Sequence, residues 1–157
     1  MIIYLDSTCI LRHLLGTGPT WPLWKKWERA YTSALTRTEC CRLANKLHAD
    51  GRLDDAQRAR LGAWIESVCA CLTIVPVTDA ILRRAADPFP VATGTLQSLH
   101  LATLLELRAA TGITCAVATD DPGLLRAAES LGFDNAFAPE AADEPTPPTD
   151  GHPESAS

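Results

Sequence analysis

No stretch of this 157-residue sequence approaches the length that a membrane-spanning helix requires. Such a helix needs roughly 20 consecutive apolar residues, and every apolar run here is much shorter. The first residues also lack a basic segment and a small-residue cleavage site, since Asp6 interrupts the opening apolar run. With 46% hydrophobic and 21% charged residues, the composition is typical of a globular domain. We therefore expect a cytoplasmic protein without a membrane partner.

Three kinds of chemical motif are also missing. The sequence has no glycine-rich phosphate loop, because Gly16 and Gly18 only mark a turn, and it has no serine-hydrolase pattern. Zinc pairs are excluded by the cysteine spacings, which are adjacent or C-x-C. The six cysteines are Cys9, Cys40, Cys41, Cys69, Cys71 and Cys115. Most lie in apolar surroundings, so we expect reduced thiols that pack as small hydrophobic side chains.

Lysine and arginine are absent from the end of the chain. Residues 138–157 carry five acids among prolines and small side chains, and we predict that they form a disordered tail because they cannot bury a core. The folded domain is then residues 1–137, in which 14 acids balance 14 basic residues. A polyanionic partner is not excluded, but it would need a local basic patch.

What the sequence does contain is an alternation of short apolar runs and helical patterns. The predicted strands cover residues 2–5, 31–35, 72–75 and 113–118, with a short last strand near 136–137. The predicted helices cover residues 8–15, 21–30, 36–48, 53–71, 78–86, 95–110 and 122–130. This order predicts an α/β domain with a mostly parallel central sheet and helices on both faces.

Three acids fall where these elements meet. Asp6 ends the first strand, Asp121 follows the strand at 113–118, and Glu39 lies in the first turn of the helix after the second strand. The carboxyl ends of parallel strands share one edge of a sheet, so we expect the three carboxylates to converge there. Converging carboxylates repel one another unless a cation neutralises them, and hard oxygen ligands suit Mg²⁺ or Mn²⁺.

Each acid also has a capping interpretation. Asp6 suits the N-cap of the first helix, and Asp121 suits the N-cap of a helix whose first residue is Pro122. Glu39 has the spacing of a capping-box partner of Thr36. Taken one at a time, the acids are explained by capping; taken together, their order along the chain favours a shared site.

Four stretches, which together span residues 1–137, carry a family pattern. IIYLDST ends its strand at Asp6, and YTSALTRTECCRL contains Glu39. LQSLHLATLLEL and VATDDPGLLRAAESLGF are the more specific pair, the latter with Thr119 and Asp121 in register. The chain resembles the PIN-domain family, and most closely the VapC-like toxins of bacterial toxin–antitoxin pairs.

The resemblance implies a PIN-like three-layer α/β/α fold and a metal-dependent endoribonuclease that cleaves single-stranded or loop regions of RNA. Asp6, Glu39 and Asp121 would bind Mg²⁺ or Mn²⁺. Thr119 or Ser7 would orient the attacking water or a metal-bound carboxylate. The family also implies two protein partners, a cognate antitoxin and a second copy of the chain in a homodimer.

One position departs from the family pattern. The third acid of the family would fall at Gln97, whose carboxamide can offer an oxygen to a metal but carries no charge. The nearest acids, Asp87 and Glu106, do not replace it, since Glu106 lies about two and a half helical turns away on the opposite side. Two hypotheses follow: an active nuclease that needs more metal, or a catalytically degenerate domain that binds protein or RNA.

Basic and aromatic residues near these acids also have two interpretations. Arg12, Arg37 and Arg42 lie near the predicted acidic edge, where they would contact RNA phosphates or neutralise the carboxylates. The segment 24–27 mixes tryptophan with lysine, either as a nucleic-acid surface or, as we expect, as packed indoles with solvated lysines. For His100, in the LHLA pattern, we expect a structural, hydrogen-bonded role rather than a nucleophilic or metal-binding one.

Overall fold

The structure is a computed structural model in which residues 1–17 and 24–137 are described. The strands in these residues are β1 (Ile2–Leu5), β2 (Arg29–Ser33), β3 (Thr73–Val75) and β4 (Ala116–Ala118). The helices there are α1 (Ser7–Leu15), α2 (Ala34–Ala49), α3 (Asp55–Cys69), α4 (Asp79–Ala86), α5 (Thr95–Thr111) and α6 (Pro122–Ser130). Among these helices, none combines the length and apolarity needed to cross a membrane. Trp21 and the predicted tail at 138–157 lie outside the described residues.

All four strands form one parallel sheet in the order β3-β2-β1-β4. Ile2 of β1 is paired with Arg29 of β2, and Leu5 of β1 is paired with Ala118 of β4. Since the strands are parallel, their carboxyl ends lie at one edge of the sheet, and Asp6 directly follows β1 there. The α/β class and the parallel sheet predicted from the sequence are confirmed.

Helices cover both faces of this sheet. α1, α2 and α3 pack together around a core in which Ile10 and Ile65 are fully buried. α4, α5 and α6 pack together on the other face, where Leu101 is fully buried. Leu5 belongs to the first core and Tyr4 to the second, because successive side chains of a strand point to opposite faces. The result is a three-layer α/β/α fold.

The helix predicted over residues 21–30 is wrong in its described part. From Trp24 onward the chain forms turns, and β2 already begins at Arg29. Lys25 has a φ of 62°, a left-handed conformation that does not fit a right-handed helix. The tryptophan spacing reflects packing instead: Trp24 and Trp27 meet edge to face at 5.4 Å and pack against the core of α1–α3.

α2 begins two residues earlier than predicted. Its N-cap is Ser33, whose side chain accepts a hydrogen bond from the Leu35 N–H at 3.2 Å. Thr36 is buried within the first turn, where its hydroxyl lies 2.7 Å from that of Thr32. The predicted capping box between Thr36 and Glu39 is therefore wrong, and Glu39 lies in the second turn of α2.

The end of the sheet is shorter than predicted. β4 covers only the last three residues of the predicted strand at 113–118. Near 136–137, one parallel bridge joins Asn135 to Val117, supported by a 3.0 Å hydrogen bond from the Ala136 N–H to the Val117 carbonyl. The predicted last strand is thus present only as this bridge.

The cysteines are free thiols, as predicted. Burial raises the pKa of Cys9 and of Cys40 to about 12. It raises the pKa of Cys115 to about 11. Because the thiolate is the reactive form, these side chains act as small core residues.

Ser33→Ala tests the observed start of α2. The variant loses the N-cap hydrogen bond, and we expect the free energy of unfolding to fall by about 1 kcal/mol. Urea denaturation followed by circular dichroism measures the change. Thr38→Ala, at an exposed position of the same helix, is the control and should not destabilise the protein, because alanine has the higher helix propensity and no cap is lost. Equal losses in the two variants would contradict the assigned cap.

Candidate metal centre

Asp6 is a buried carboxylate that does not cap its helix. It occupies the N-cap position of α1 and is only 3% exposed. Within the described residues of this helix, the Asp6 side chain accepts no capping hydrogen bond from a backbone N–H group. Its Oδ2 instead accepts hydrogen bonds from the hydroxyl groups of Thr8 at 2.6 Å and Thr119 at 2.8 Å. The capping interpretation is therefore wrong for the Asp6 side chain.

Glu39 and His100 complete a compact group with Asp6. The Glu39 side chain comes from α2 and is 19% exposed, whereas His100 comes from α5 and is 2% exposed. His100 Nε2 lies 3.0 Å from Glu39 Oε2 and 3.4 Å from Asp6 Oδ1. One ligand atom of each residue lies within 4.8 Å of the other two. Two of the three predicted carboxylates thus converge, and they do so around a histidine.

The imidazole of His100 is held at both ring nitrogens. Its Nδ1 lies 2.7 Å from Tyr4 Oη, and the two rings meet edge to face at 5.9 Å. Burial alone lowers the pKa of His100, but the hydrogen bond to Glu39 and the charges of Asp6, Glu39 and Asp121 outweigh it. The pKa of His100 is therefore above its ordinary value, because the neighbouring carboxylates favour the protonated imidazole.

Asp121 lies at the same edge of the sheet but is engaged differently. Its Oδ1 accepts hydrogen bonds from the N–H groups of Gly123 at 2.7 Å and Leu124 at 3.1 Å, so the side chain caps α6. Its Oδ2 accepts a hydrogen bond from Gln97 Nε2 at 2.7 Å. Burial raises the pKa of Asp121, but these hydrogen bonds outweigh burial and hold that pKa below its ordinary value. Within the described residues, Asp121 is outside the group formed by Asp6, Glu39 and His100.

Thr119 connects the two parts of this edge. Its hydroxyl donates to Asp6 and accepts a hydrogen bond from the Asp121 N–H at 3.0 Å. The hydroxyl of Thr8 lies 3.3 Å from that of Thr119 and accepts a hydrogen bond from the Asp120 N–H at 3.0 Å. The loop that carries Asp121 is therefore fixed relative to the Asp6 carboxylate.

Gln97, where the resemblance predicts a third acid, joins the N-termini of α5 and α6. Its Oε1 accepts a hydrogen bond from the Gly94 N–H at 2.8 Å, and its Nε2 donates to Asp121. Gly123 permits this contact, because a Cβ at that position would lie 2.7 Å from Gln97 Nε2. The carboxamide is thus a neutral link between two helix ends.

The three arginines predicted to contact RNA are placed differently from one another. Arg12 pairs with Asp120 at 2.6 Å, next to the edge that carries the carboxylates. Arg37 pairs with Glu66 of α3 at 2.6 Å, and both side chains are more than half exposed. Arg42 is exposed on α2. Of the three, Arg12 is the one whose partner lies beside Asp121.

His100 is the residue whose importance the sequence analysis missed. The expectation of a hydrogen-bonded histidine is correct, but the position between two carboxylates was not foreseen. A signal was present, since His100 follows Gln97 by three residues on α5, and residues at that spacing lie on one helix face. Because a metal ligand was expected at the position of Gln97, His100 on the same helix face could have been expected near the metal site.

Comparison of the chain with models of protein families and with curated proteins finds no match. The resemblance to the PIN-domain family therefore stays a prediction that rests on four sequence stretches. The geometry supports a coarser statement: an α/β domain with a largely buried group of two carboxylates and one imidazole that could hold a metal ion.

A double-mutant cycle measures the contact between Gln97 and Gly123. Gly123→Ala gains up to about 1 kcal/mol of helix propensity, but its methyl group displaces the Gln97 amide from Asp121. An added Cβ would also lie 3.1 Å from Asp121 Oδ1, a contact that both backgrounds share. We therefore expect Gly123→Ala to be more favourable in the Gln97→Ala background than in the wild type, with a coupling free energy of about 1 kcal/mol. Urea denaturation of the four proteins gives this coupling.

The control for this cycle is Gly62→Ala on α3, where an added Cβ has nothing within 4 Å. It should stabilise the wild-type and Gln97→Ala backgrounds equally. An effect of Gly123→Ala that does not depend on Gln97 would contradict the close approach of the two residues.

Proposed function

We propose that the protein is a divalent-metal-dependent endoribonuclease, similar to the toxin of a type II toxin–antitoxin pair. The convergence of Asp6 and Glu39 carries this proposal. Two carboxylates from separate elements approach one another in a largely buried site, and neither caps a helix. Such an arrangement costs free energy unless a cation or a proton donor compensates it. His100 supplies part of that compensation, and a bound divalent cation would supply the rest. The four PIN-like stretches supply the nuclease assignment.

The donor set fits Mg²⁺ or Mn²⁺. Asp6 and Glu39 offer carboxylate oxygens, which hard cations prefer. Asp121, the remaining predicted carboxylate, is linked to Asp6 through the hydroxyl group of Thr119. A bound ion would activate a water molecule for in-line attack on a phosphodiester and offset the charge on the leaving oxygen.

The residues around Asp6 fix the orientation of its carboxylate. Thr8 and Thr119 both donate to Oδ2, while Oδ1 faces His100. Because both hydroxyl groups also accept backbone N–H groups of the loop after β4, the carboxylate is held in one orientation. Groups held in this way need little reorganisation when charge develops at the substrate.

The proposed partners are an RNA substrate, a cognate antitoxin and a second copy of the chain. All three follow from the family resemblance, with Arg12, Arg37 and Arg42 as candidate phosphate contacts. A cavity of about 330 Å³ lies beside α1 and α3, and its lining includes His13, Trp24 and Trp64. Aromatic residues are enriched at protein interfaces, so this cavity supports the proposal of a protein partner.

Cleavage of RNA tests the proposed function. With Mn²⁺ or Mg²⁺ present, we expect the purified full chain to cut single-stranded RNA, and a chelator should abolish the cleavage. Asp6→Asn and Glu39→Gln each remove a charged ligand and should lower the rate about 100-fold or more. Gel analysis of labelled RNA measures the rate.

Glu129→Gln, an exposed acid on α6, is the matched control and should retain wild-type activity. A folded protein that cleaves no RNA at any metal concentration would contradict the nuclease proposal. Cleavage that survives both site variants would show that the reaction occurs elsewhere or comes from a contaminant.

Gln97 favours a second candidate function, a degenerate PIN domain that binds RNA or protein without cleavage. Both polar atoms of its carboxamide are engaged by Gly94 and Asp121, so the residue is not poised to replace a charged ligand. A site with fewer anionic ligands binds a divalent cation more weakly. The two candidate functions share one scaffold and differ in this position.

Gln97→Asp separates the two functions. In an active nuclease, the added carboxylate should lower the metal concentration for half-maximal cleavage about 10-fold, because substitutions beside metal ligands typically change metal affinity by at least this factor. In a degenerate domain, the wild type should remain inactive even at high Mn²⁺ while the variant gains cleavage. Gln97→Asn, with the length of aspartate and no charge, is the control and should show neither gain.

A further inference from the structure

We propose that His100 is a metal ligand through Nε2 and that Tyr4 is the positioning residue that makes this possible. The consequence is a site with mixed nitrogen and oxygen donors, which favours first-row transition ions such as Mn²⁺ over Mg²⁺. This inference rests on the proposed metal-dependent function and specifies the ligands and the ion at the same site.

The position of the imidazole supports this assignment. Donor atoms bound to one ion at about 2.1 Å lie about 3 Å apart when they occupy adjacent positions. His100 Nε2 lies 3.0 Å from Glu39 Oε2 and 3.4 Å from Asp6 Oδ1. All three donor atoms are near enough to share an ion. An ion bound there needs no rearrangement of the backbone to reach the histidine.

Tyr4 lies against the Nδ1 side of the imidazole, so Nε2 faces the carboxylates. A histidine that binds a metal through Nε2 carries its proton on Nδ1, and it needs an acceptor for that proton. Tyr4 Oη lies 2.7 Å from Nδ1 and can accept this hydrogen bond. Tyr4 is fully buried on β1, so the phenol holds the ring in a fixed orientation.

Gln97 stands where the resemblance predicts an acid, so the site has one carboxylate fewer and His100 becomes the candidate for an additional donor. The acid expected at this position would add a hard oxygen ligand, whereas the carboxamide is engaged by Gly94 and Asp121. His100 lies one turn further along the same helix and contributes a softer donor. Imidazole suits transition ions, while Mg²⁺ favours carboxylate, carbonyl and water oxygens.

Electron spin echo envelope modulation of bound Mn²⁺ tests the assignment without any activity measurement. With the full wild-type chain and Mn²⁺, we expect ¹⁴N modulation from a directly coordinated imidazole. His100→Gln retains an N–H donor toward Glu39 but removes the imidazole, and it should lose this modulation. His48→Gln, which replaces a histidine on α2 away from the site, should retain it.

Three further measurements test the ligand assignment. Wild-type protein labelled with ¹⁵N-histidine should replace the ¹⁴N signal by a ¹⁵N signal, which requires no variant. Tyr4→Phe removes the acceptor for Nδ1–H and should weaken Mn²⁺ binding about 10-fold, with no additional loss in the His100→Gln background. In competition, Mg²⁺ should displace Mn²⁺ only at a higher concentration than Co²⁺ does.

Bound Mn²⁺ without nitrogen modulation in the wild type would overturn the inference and leave the nuclease proposal intact. Modulation that persists in His100→Gln would do the same. A wild-type chain that binds no Mn²⁺ at millimolar concentration would overturn both this inference and the proposed function. Nitrogen modulation lost only with His100 would establish the ligand.

Discussion

The site depends on one constraint, which is that the Asp6 carboxylate stays buried at the end of β1. Two hydroxyl groups and an imidazole take the place of solvent around it: Thr8 and Thr119 donate to Oδ2, and His100 faces Oδ1. These partners come from α1, from the loop after β4 and from α5. Because a buried carboxylate without partners is costly, the same contacts that satisfy Asp6 also hold three distant segments of the chain together.

The parallel sheet determines which residues can meet. β1 lies between β2 and β4, so the residues that follow these three strands share one edge. α2 and α5 pack on opposite faces of the sheet, and Glu39 and His100 therefore approach Asp6 from two sides. The candidate site is the place where the two helical layers come together beyond the end of the central strand. Its residues are distant in sequence because the topology, not local chain geometry, brings them together.

Apolar periodicity and turn residues were sufficient to predict the fold class and most of its elements. They failed where tertiary contacts determine the local structure. The spacing of Trp24 and Trp27 matches one face of a helix, but the segment forms turns, and Ser33 rather than Thr36 caps α2. The convergence of Asp6 and Glu39 could be expected from the order of strands and helices, whereas Asp121 was wrongly expected to join them. The hydrogen bonds of each carboxylate could not be expected, because they depend on side-chain placement, and this is why the engagement of Asp121 by Gln97 and the central position of His100 became visible only in the structure.

The link formed by Gln97 affects how this edge assembles. It bridges the beginnings of α5 and α6 through one accepted and one donated hydrogen bond, without a charge of its own. An acid in its place would oppose the Asp121 carboxylate, and repulsion would keep the two helix ends apart until a cation arrived. With a carboxamide there, the two helix ends are joined by hydrogen bonds alone, so their docking needs no bound ion.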